Sequence, residues 1–137
     1  MSVDTYYIGG KQEKFLNSVG FSDVCSAKGR MVFVGGQVGQ SPDGNVAEGL
    51  REQAFQATEN IKTGLAKAGG KMEHVVQVMI FLAESVQGKQ KEWWGIVTDL
   101  NKQYYAPHLP CGTGFWIKEL AHPSLLVEIQ AIAVVPD

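Results

Sequence analysis

A chain of 137 residues with a formal charge of −2 and a pI near 5.9 has the length of one domain and no electrostatic footprint for nucleic acid, its 12 Lys and Arg being scattered along the sequence. A composition 45% hydrophobic and 19% charged excludes disordered and fibrous classes, and no apolar run approaches the ~20 residues of a membrane span. Two cysteines, Cys25 and Cys111, are too few for a disulfide framework or a zinc cluster and are expected as free thiols, while Met1-Ser2-Val3-Asp4 lacks the basic and apolar regions of a secretory signal, so a cytoplasmic protein is expected.

Residues 1–20, with Gly9-Gly10, Lys11 and Lys14, show weak periodicity and read as a loosely held arm or edge segment of a single domain spanning 1–137. Ser22 to Val38 holds two β-rich stretches around Ala27-Lys28-Gly29-Arg30, a predicted hairpin that runs into Gly35-Gly36-Gln37, glycines suited to a close approach to the backbone. Ser41-Pro42-Asp43-Gly44 is a turn, and Asn45 with Glu48 resembles a capping box. Leu50, Ala54, Ala57, Ile61, Leu65 and Ala68 then form one helical stripe, ended by Gly69-Gly70.

His74 to Leu82 is apolar at nearly every position, the pattern of a central strand buried on both faces. Ser85 is placed to cap a second helix carrying Trp93, Val97, Leu100 and Tyr104 on one face, and Pro107 and Pro110 forbid its continuation. Strands at Thr113–Leu120 and Leu125–Val135 complete a β-β-α-β-α-β-β order: an α+β fold in which two helices cover one face of a mixed sheet. The other face needs a cover.

The last strand says what kind. Val127, Ile129, Ala131 and Ala133 point one way, while Leu126, Glu128, Gln130, Ile132 and Val134 point the other. The second set mixes aliphatic with polar residues and suits a seam between subunits. A carboxylate there costs several kcal/mol unless it is paired, hydrogen-bonded or open to a wet cavity. Glu128 is therefore either neutralised by a neighbouring cation or amide, or it belongs to a site.

The succession Val34-Gly35-Gly36-Gln37-Val38, Glu52-Gln53-Ala54, Asn60-Ile61, Leu65-Ala66-Lys67-Ala68-Gly69, Val75-Val76-Gln77-Val78, Pro110 and Val127-Glu128-Ile129-Gln130-Ala131 resembles the RidA/YjgF family, formerly called endoribonuclease L-PSP, from about Ser22 to Val135. The resemblance implies a chorismate-mutase-like fold and a homotrimer in which three sheets form a central barrel with clefts between subunits. It also implies hydrolysis of reactive 2-imino or enamino acids to 2-keto acids and ammonia, with no cofactor. Pro110, Cys111 and Thr113 match three positions of the family's Pro–small–Arg–Ser/Thr cleft motif, and Glu128 matches the carboxylate that positions the attacking water.

The Arg position of that motif is held by Gly112, and no arginine follows Arg51. The resemblance makes the Arg a bidentate clamp for the substrate carboxylate, which glycine cannot imitate. Hydrogen bonds to a charged group are worth ~1.5–3 kcal/mol each, so without the clamp a small 2-imino acid would bind about a hundredfold more weakly or worse.

Gly112, Gly114 and Trp116 share strand parity, which implies a roomier slot walled by an indole for a larger, planar or less acidic ligand; the alternative is that Trp116 is core and the glycines a bulge. Backbone amides around Gly112 and the Thr113 hydroxyl would contact that ligand, with Gly36, Gln37, Phe21 and Asp23 as further walls. Cys111 is a candidate nucleophile with His108 or His122 as base, or else a small filler. His74, His108 and His122 lack metal-ligand spacing, and no metal is expected. Two function classes remain: a cofactor-independent imine or enamine hydrolase in which Glu128 activates water, and a non-catalytic metabolite-binding or chaperone-like trimer. The acidic balance argues against ribonuclease action.

Overall fold

The computed structural model describes residues 3–137. The chain runs β1 (Asp4–Tyr6), α1 (Lys11–Val19), β2 (Val24–Ser26), β3 (Arg30–Val38), α2 (Leu50–Lys67), β4 (Val75–Ala83), α3 (Gln90–Leu100), β5 (Cys111–Ile117) and β6 (Val127–Val135). From β2 onward this is the predicted order. The main sheet is β3-β6-β4-β5, with β6 antiparallel to both its neighbours and β4 parallel to β5. A parallel pair needs a crossover, and α3 supplies it.

One face of the sheet is closed by helices. Leu50, Ala54, Ala57, Ile61 and Leu65 of α2 are buried, as are Val127, Ile129, Ala131 and Ala133 of β6 and Trp93, Ile96, Val97 and Leu100 of α3. Gly69 ends the α2 segment with φ 82°, a left-handed conformation that a side chain would strain. The opposite face stays open: Phe33 is 68% exposed and Met31 57%. On β4, Val78, Ile80 and Leu82 are buried, whereas Met79 and Phe81 are only half-buried in the single chain. Burial of β4 on both faces thus holds for the helix side alone.

Three local expectations are corrected. The first is the arm, of which Met1 and Ser2 lie outside the described residues. Asp4–Tyr6 pairs with Val24–Ser26 in a separate two-stranded ribbon, and Lys11–Val19 is a third helix. That helix buries only Val19, which is why its periodicity is faint. It docks by its end: Gly20 takes φ 95° and leaves room for Asn101, whose Nδ2 donates to Val19 O at 2.8 Å, while Phe15 meets the Trp94 ring edge-on with centroids 5.3 Å apart.

The second correction is the hairpin, because β2 pairs with β1 while β3 takes β6. A three-residue strand offers β3 far less ladder than the nine residues of β6.

The third correction concerns the caps. The turn at Ser41–Gly44 forms, with Gly44 N donating to Ser41 O at 2.9 Å, but Ser41 N also bonds Asn45 O at 2.9 Å, so Asn45 closes that loop and caps nothing. Gly49 precedes α2, and neither α2 nor α3 has a side-chain cap. Ser85 sits in a tight turn, Glu84–Val86, ahead of α3.

Candidate active site

The site is built on the open face of the sheet. Cross-strand partners share a face, so the register places Glu128 beside Phe81 and, across β4, Phe81 beside Phe115. The two rings stack with centroids 5.2 Å apart and planes 13° from parallel. Gln130 pairs with Met79 and donates from Nε2 to Met79 Sδ at 3.3 Å. Thr113 pairs with Met79 from the other side, which puts its hydroxyl on the same face.

The register between β3 and β6 shifts between Val34 and Gln37. That bulge brings Gly36 over Glu128, where an added Cβ would overlap Oε2 of the carboxylate. Only a glycine leaves Glu128 this position. Among the described residues no cation lies within ion-pair distance of Glu128 and no hydrogen bond reaches it, so the neutralised alternative finds no partner among them. The carboxylate lies on the open side of the sheet, beside Phe81 and one strand further from Phe115.

Within one chain the predicted residues divide into groups. Glu128, Thr113 and Gly36 share the open face. Strand spacing of ~4.8 Å across two strands, with a two-residue offset along them, separates Glu128 from Thr113 by about 11–12 Å. A small substrate cannot touch both. Gln37 lies on the other side of the bulge, where it lines a surface hollow of about 330 Å³ with Asn60, Thr63 and Gly64 of α2. Asp23 is engaged elsewhere, accepting from Ile8 N at 2.8 Å.

Gly112, Gly114 and Trp116 do share parity, opposite Val78, Ile80 and Leu82, but that is the helix side. The expected slot over Gly112 is filled: a Cβ there would stand 2.6 Å from Phe21 Cε1 and 3.2 Å from Val78 Cγ2. Phe21 is buried, so the ring is a fixed wall of the chain. Trp116, 39% exposed, borders a separate hollow with Glu84, Gln87 and Lys118.

Cys111 donates to Val76 O at 3.2 Å and, unforeseen from the sequence, meets Cys25. Ser22 forms a parallel bridge with Cys111, and Ser22 Oγ lies 3.2 Å from Cys25 Sγ. A hydrogen bond from Cys111, then the Ser22 hydroxyl, the Cys111 backbone and nearby His108, hold the Cys25 thiol below its ordinary range against the opposing effect of burial. The same Cys25 contact, followed by burial, pushes Cys111 upward. Both effects oppose ionisation of Cys111, and a protonated thiol is a poor nucleophile.

Each histidine has its own local contact: His74 Nδ1 with Lys71 N at 3.0 Å, His108 Nε2 with Val75 O at 2.6 Å, and His122 Nδ1 with Ser124 Oγ at 2.8 Å. Among the described residues no three His, Cys, Asp or Glu side chains gather as metal ligands, and no helix is long and apolar enough to cross a membrane.

The profile of the family described as Endoribonuclease L-PSP matches residues 12–135. The chain belongs to that family. Among L-PSP relatives, it is 32% identical over 107 residues to the 2-iminobutanoate/2-iminopropanoate deaminase of Rattus norvegicus, covering 77% of this chain and 73% of that protein. It is 34% identical over 104 residues to a RutC family protein of Aquifex aeolicus, covering 75% and 79%.

Among solved structures, a Rid-family protein of unknown function from Yersinia pestis superposes with TM-score 0.84 at 22% identity, covering 98% of this chain and 100% of that one. RidA from an Antarctic Psychrobacter superposes with TM-score 0.68 at 22% identity, covering 96% and 93%. At these identities the two structures establish the shared fold, and with it the chorismate-mutase-like α+β class read from the sequence.

Proposed function

We propose that the protein is a cofactor-independent hydrolase of imines or enamines, acting as a homotrimer whose clefts pair Glu128 of one copy with the Gly112–Thr113 segment of another. The observation that carries this reading is the unpaired Glu128 carboxylate, given room by Gly36 on an apolar, exposed sheet face. A lone acid on such a face is tolerated where water reaches it, and an acid with a held water beside it is a general base. The deaminase names of relatives 32–33% identical supply the reaction class.

In this chemistry Glu128 takes a proton from water as the oxygen bonds to the carbon of the protonated imine and the C=N electron pair moves to nitrogen. Glu128 then returns that proton to the amine of the resulting carbinolamine, which leaves as ammonia while the hydroxyl gives up its proton and becomes a carbonyl. Thr113 Oγ1 and backbone N–H groups hold the polar end of the ligand.

Substrate preference follows from Gly112. It carries no side chain, and the space beside its Cα on the helix side is taken by Phe21 and Val78, so no cation stands at this position to hold a carboxylate, which favours imines without one. The same plug gives the non-catalytic binding alternative its one support. To test the proposal, imines with and without an α-carboxylate are generated in the assay by an amine oxidase or an amino-acid oxidase, and ammonia release is followed. Faster release from the uncharged imine than from the 2-imino acid is expected. Release at the buffer rate for both would leave the binding alternative.

A further inference from the structure

The ribbon of β1 and β2 lies across the start of β5 and brings together two cysteines 86 positions apart in sequence. Ser22 is the hinge of this contact. Its N–H donates to Pro110 O at 3.1 Å and its hydroxyl to Leu109 O at 2.7 Å. Cys25 Sγ lies 3.6 Å from the same Leu109 carbonyl, and Ser22, bridged to Cys111, holds its Oγ 3.2 Å from Cys25 Sγ, so one residue touches both cysteines. Both thiols are half-buried, not sealed in the core.

We propose that Cys25 and Cys111 form a dithiol that hydroperoxides oxidise to an internal disulfide, fastening the N-terminal ribbon to the strand that carries Thr113. The two thiols are not equivalent. A thiolate is the reactive form of cysteine; Cys25 has the Ser22 hydroxyl 3.2 Å from its sulfur and is held below its ordinary range, first by its neighbour Cys111, whereas the Cys111 thiol is turned to Val76 O. His108 and Tyr7 are the titratable groups that face Cys25, and the ionisation of Tyr7 is opposed by burial and then by Glu13, Asp23 and Cys25.

The Cys25 thiolate attacks one peroxide oxygen, the O–O bond breaks, and the departing oxygen leaves as water or alcohol after taking up a proton. Cys111 sulfur then attacks the sulfenic sulfur, the S–O bond breaks, and hydroxide takes the Cys111 proton to leave as water. Two electrons pass from the sulfurs to the peroxide, and two thiols become one disulfide. No step involves Glu128, so the inference stands or falls apart from imine hydrolysis.

The test treats the reduced full-length protein with hydrogen peroxide at neutral pH, blocks remaining thiols with a maleimide and maps the product by mass spectrometry. The expected product has lost two hydrogens, takes up no maleimide and yields a peptide joining Cys25 to Cys111, with a rate at least about ten-fold above that of free cysteine. In Cys111→Ser, dimedone should capture a sulfenic acid at Cys25. Disulfides only between molecules, separate sulfinic acids on the two cysteines, or oxidation no faster than free cysteine would each overturn the proposal, and the wild-type map decides even if the variant does not fold.

Discussion

Glu128→Gln is expected to remove imine hydrolysis while leaving the protein folded. General-base assistance is worth about 10²- to 10⁴-fold, and glutamine keeps the size and one acceptor of glutamate but cannot take the proton from water. kcat should fall by that factor while ligand affinity stays within a few-fold, because the carboxylate acts on water in the transition state. Stability should hold or rise slightly: the substitution removes an unpaired charge from beside Phe81 and breaks no hydrogen bond among the described residues. Paired measurements of turnover and thermal midpoint check this. Equal activity in the variant would remove Glu128 from the chemistry, and a large loss of stability would make it structural.

Gln53→Ala is expected to have the largest effect on stability. Gln53 is 2% exposed. Its Nε2 donates to Ala47 O at 3.1 Å and to Ser124 O at 2.8 Å, and its Oε1 accepts from Leu126 N at 2.8 Å. Alanine leaves three backbone groups without their partner. With stranded polar groups at ~1–3 kcal/mol each and partial rescue by water, the loss should be about 3–5 kcal/mol. For a domain of this size that lowers Tm by roughly 10–20 °C.

The consequence reaches the site as well. Leu126 is the residue before β6, so Gln53 fixes where that strand starts and, through it, the register of Glu128 under Gly36. Denaturant titration would read the effect, and a cost below about 1 kcal/mol would mean that water satisfies all three groups.

The parts legible in the sequence were those where one residue type repeats at a fixed spacing against a large partner. The α2 stripe, the apolar run of β4 and the alternation along β6 all report burial against the same core. Even the open face was readable, because Glu128 and Gln130 fall on one parity and Ala131 and Ala133 on the other. The family resemblance rested on these same segments.

What escaped has a common physical origin. The helix at Lys11–Val19 docks mainly by one end, through Val19, Gly20 and Asn101, and buries too little to imprint a period. β2 is too short to announce a partner. Gln53 reads as a polar residue on a helix, and only the loops that converge on it make it core. Phe21 over Gly112 and Cys25 beside Cys111 are contacts between residues some 90 positions apart, which no local pattern encodes. The glycine itself was visible, but the sequence could not say that an aromatic ring fills the space beside it. The space expected beside Gly112 is therefore filled, which removes the larger ligand of the sequence reading and leaves the less acidic one.

One chain by itself presents an exposed apolar sheet, with Glu128 and Thr113 too far apart to serve one small molecule. The mass of the purified protein by light scattering at micromolar concentration tests this point most directly. Three times the 14.9 kDa of a single chain is expected, independent of dilution over that range. A particle of one chain's mass would leave Phe33 and Met31 in water and Glu128 without a second wall, and would contradict a site completed by another copy.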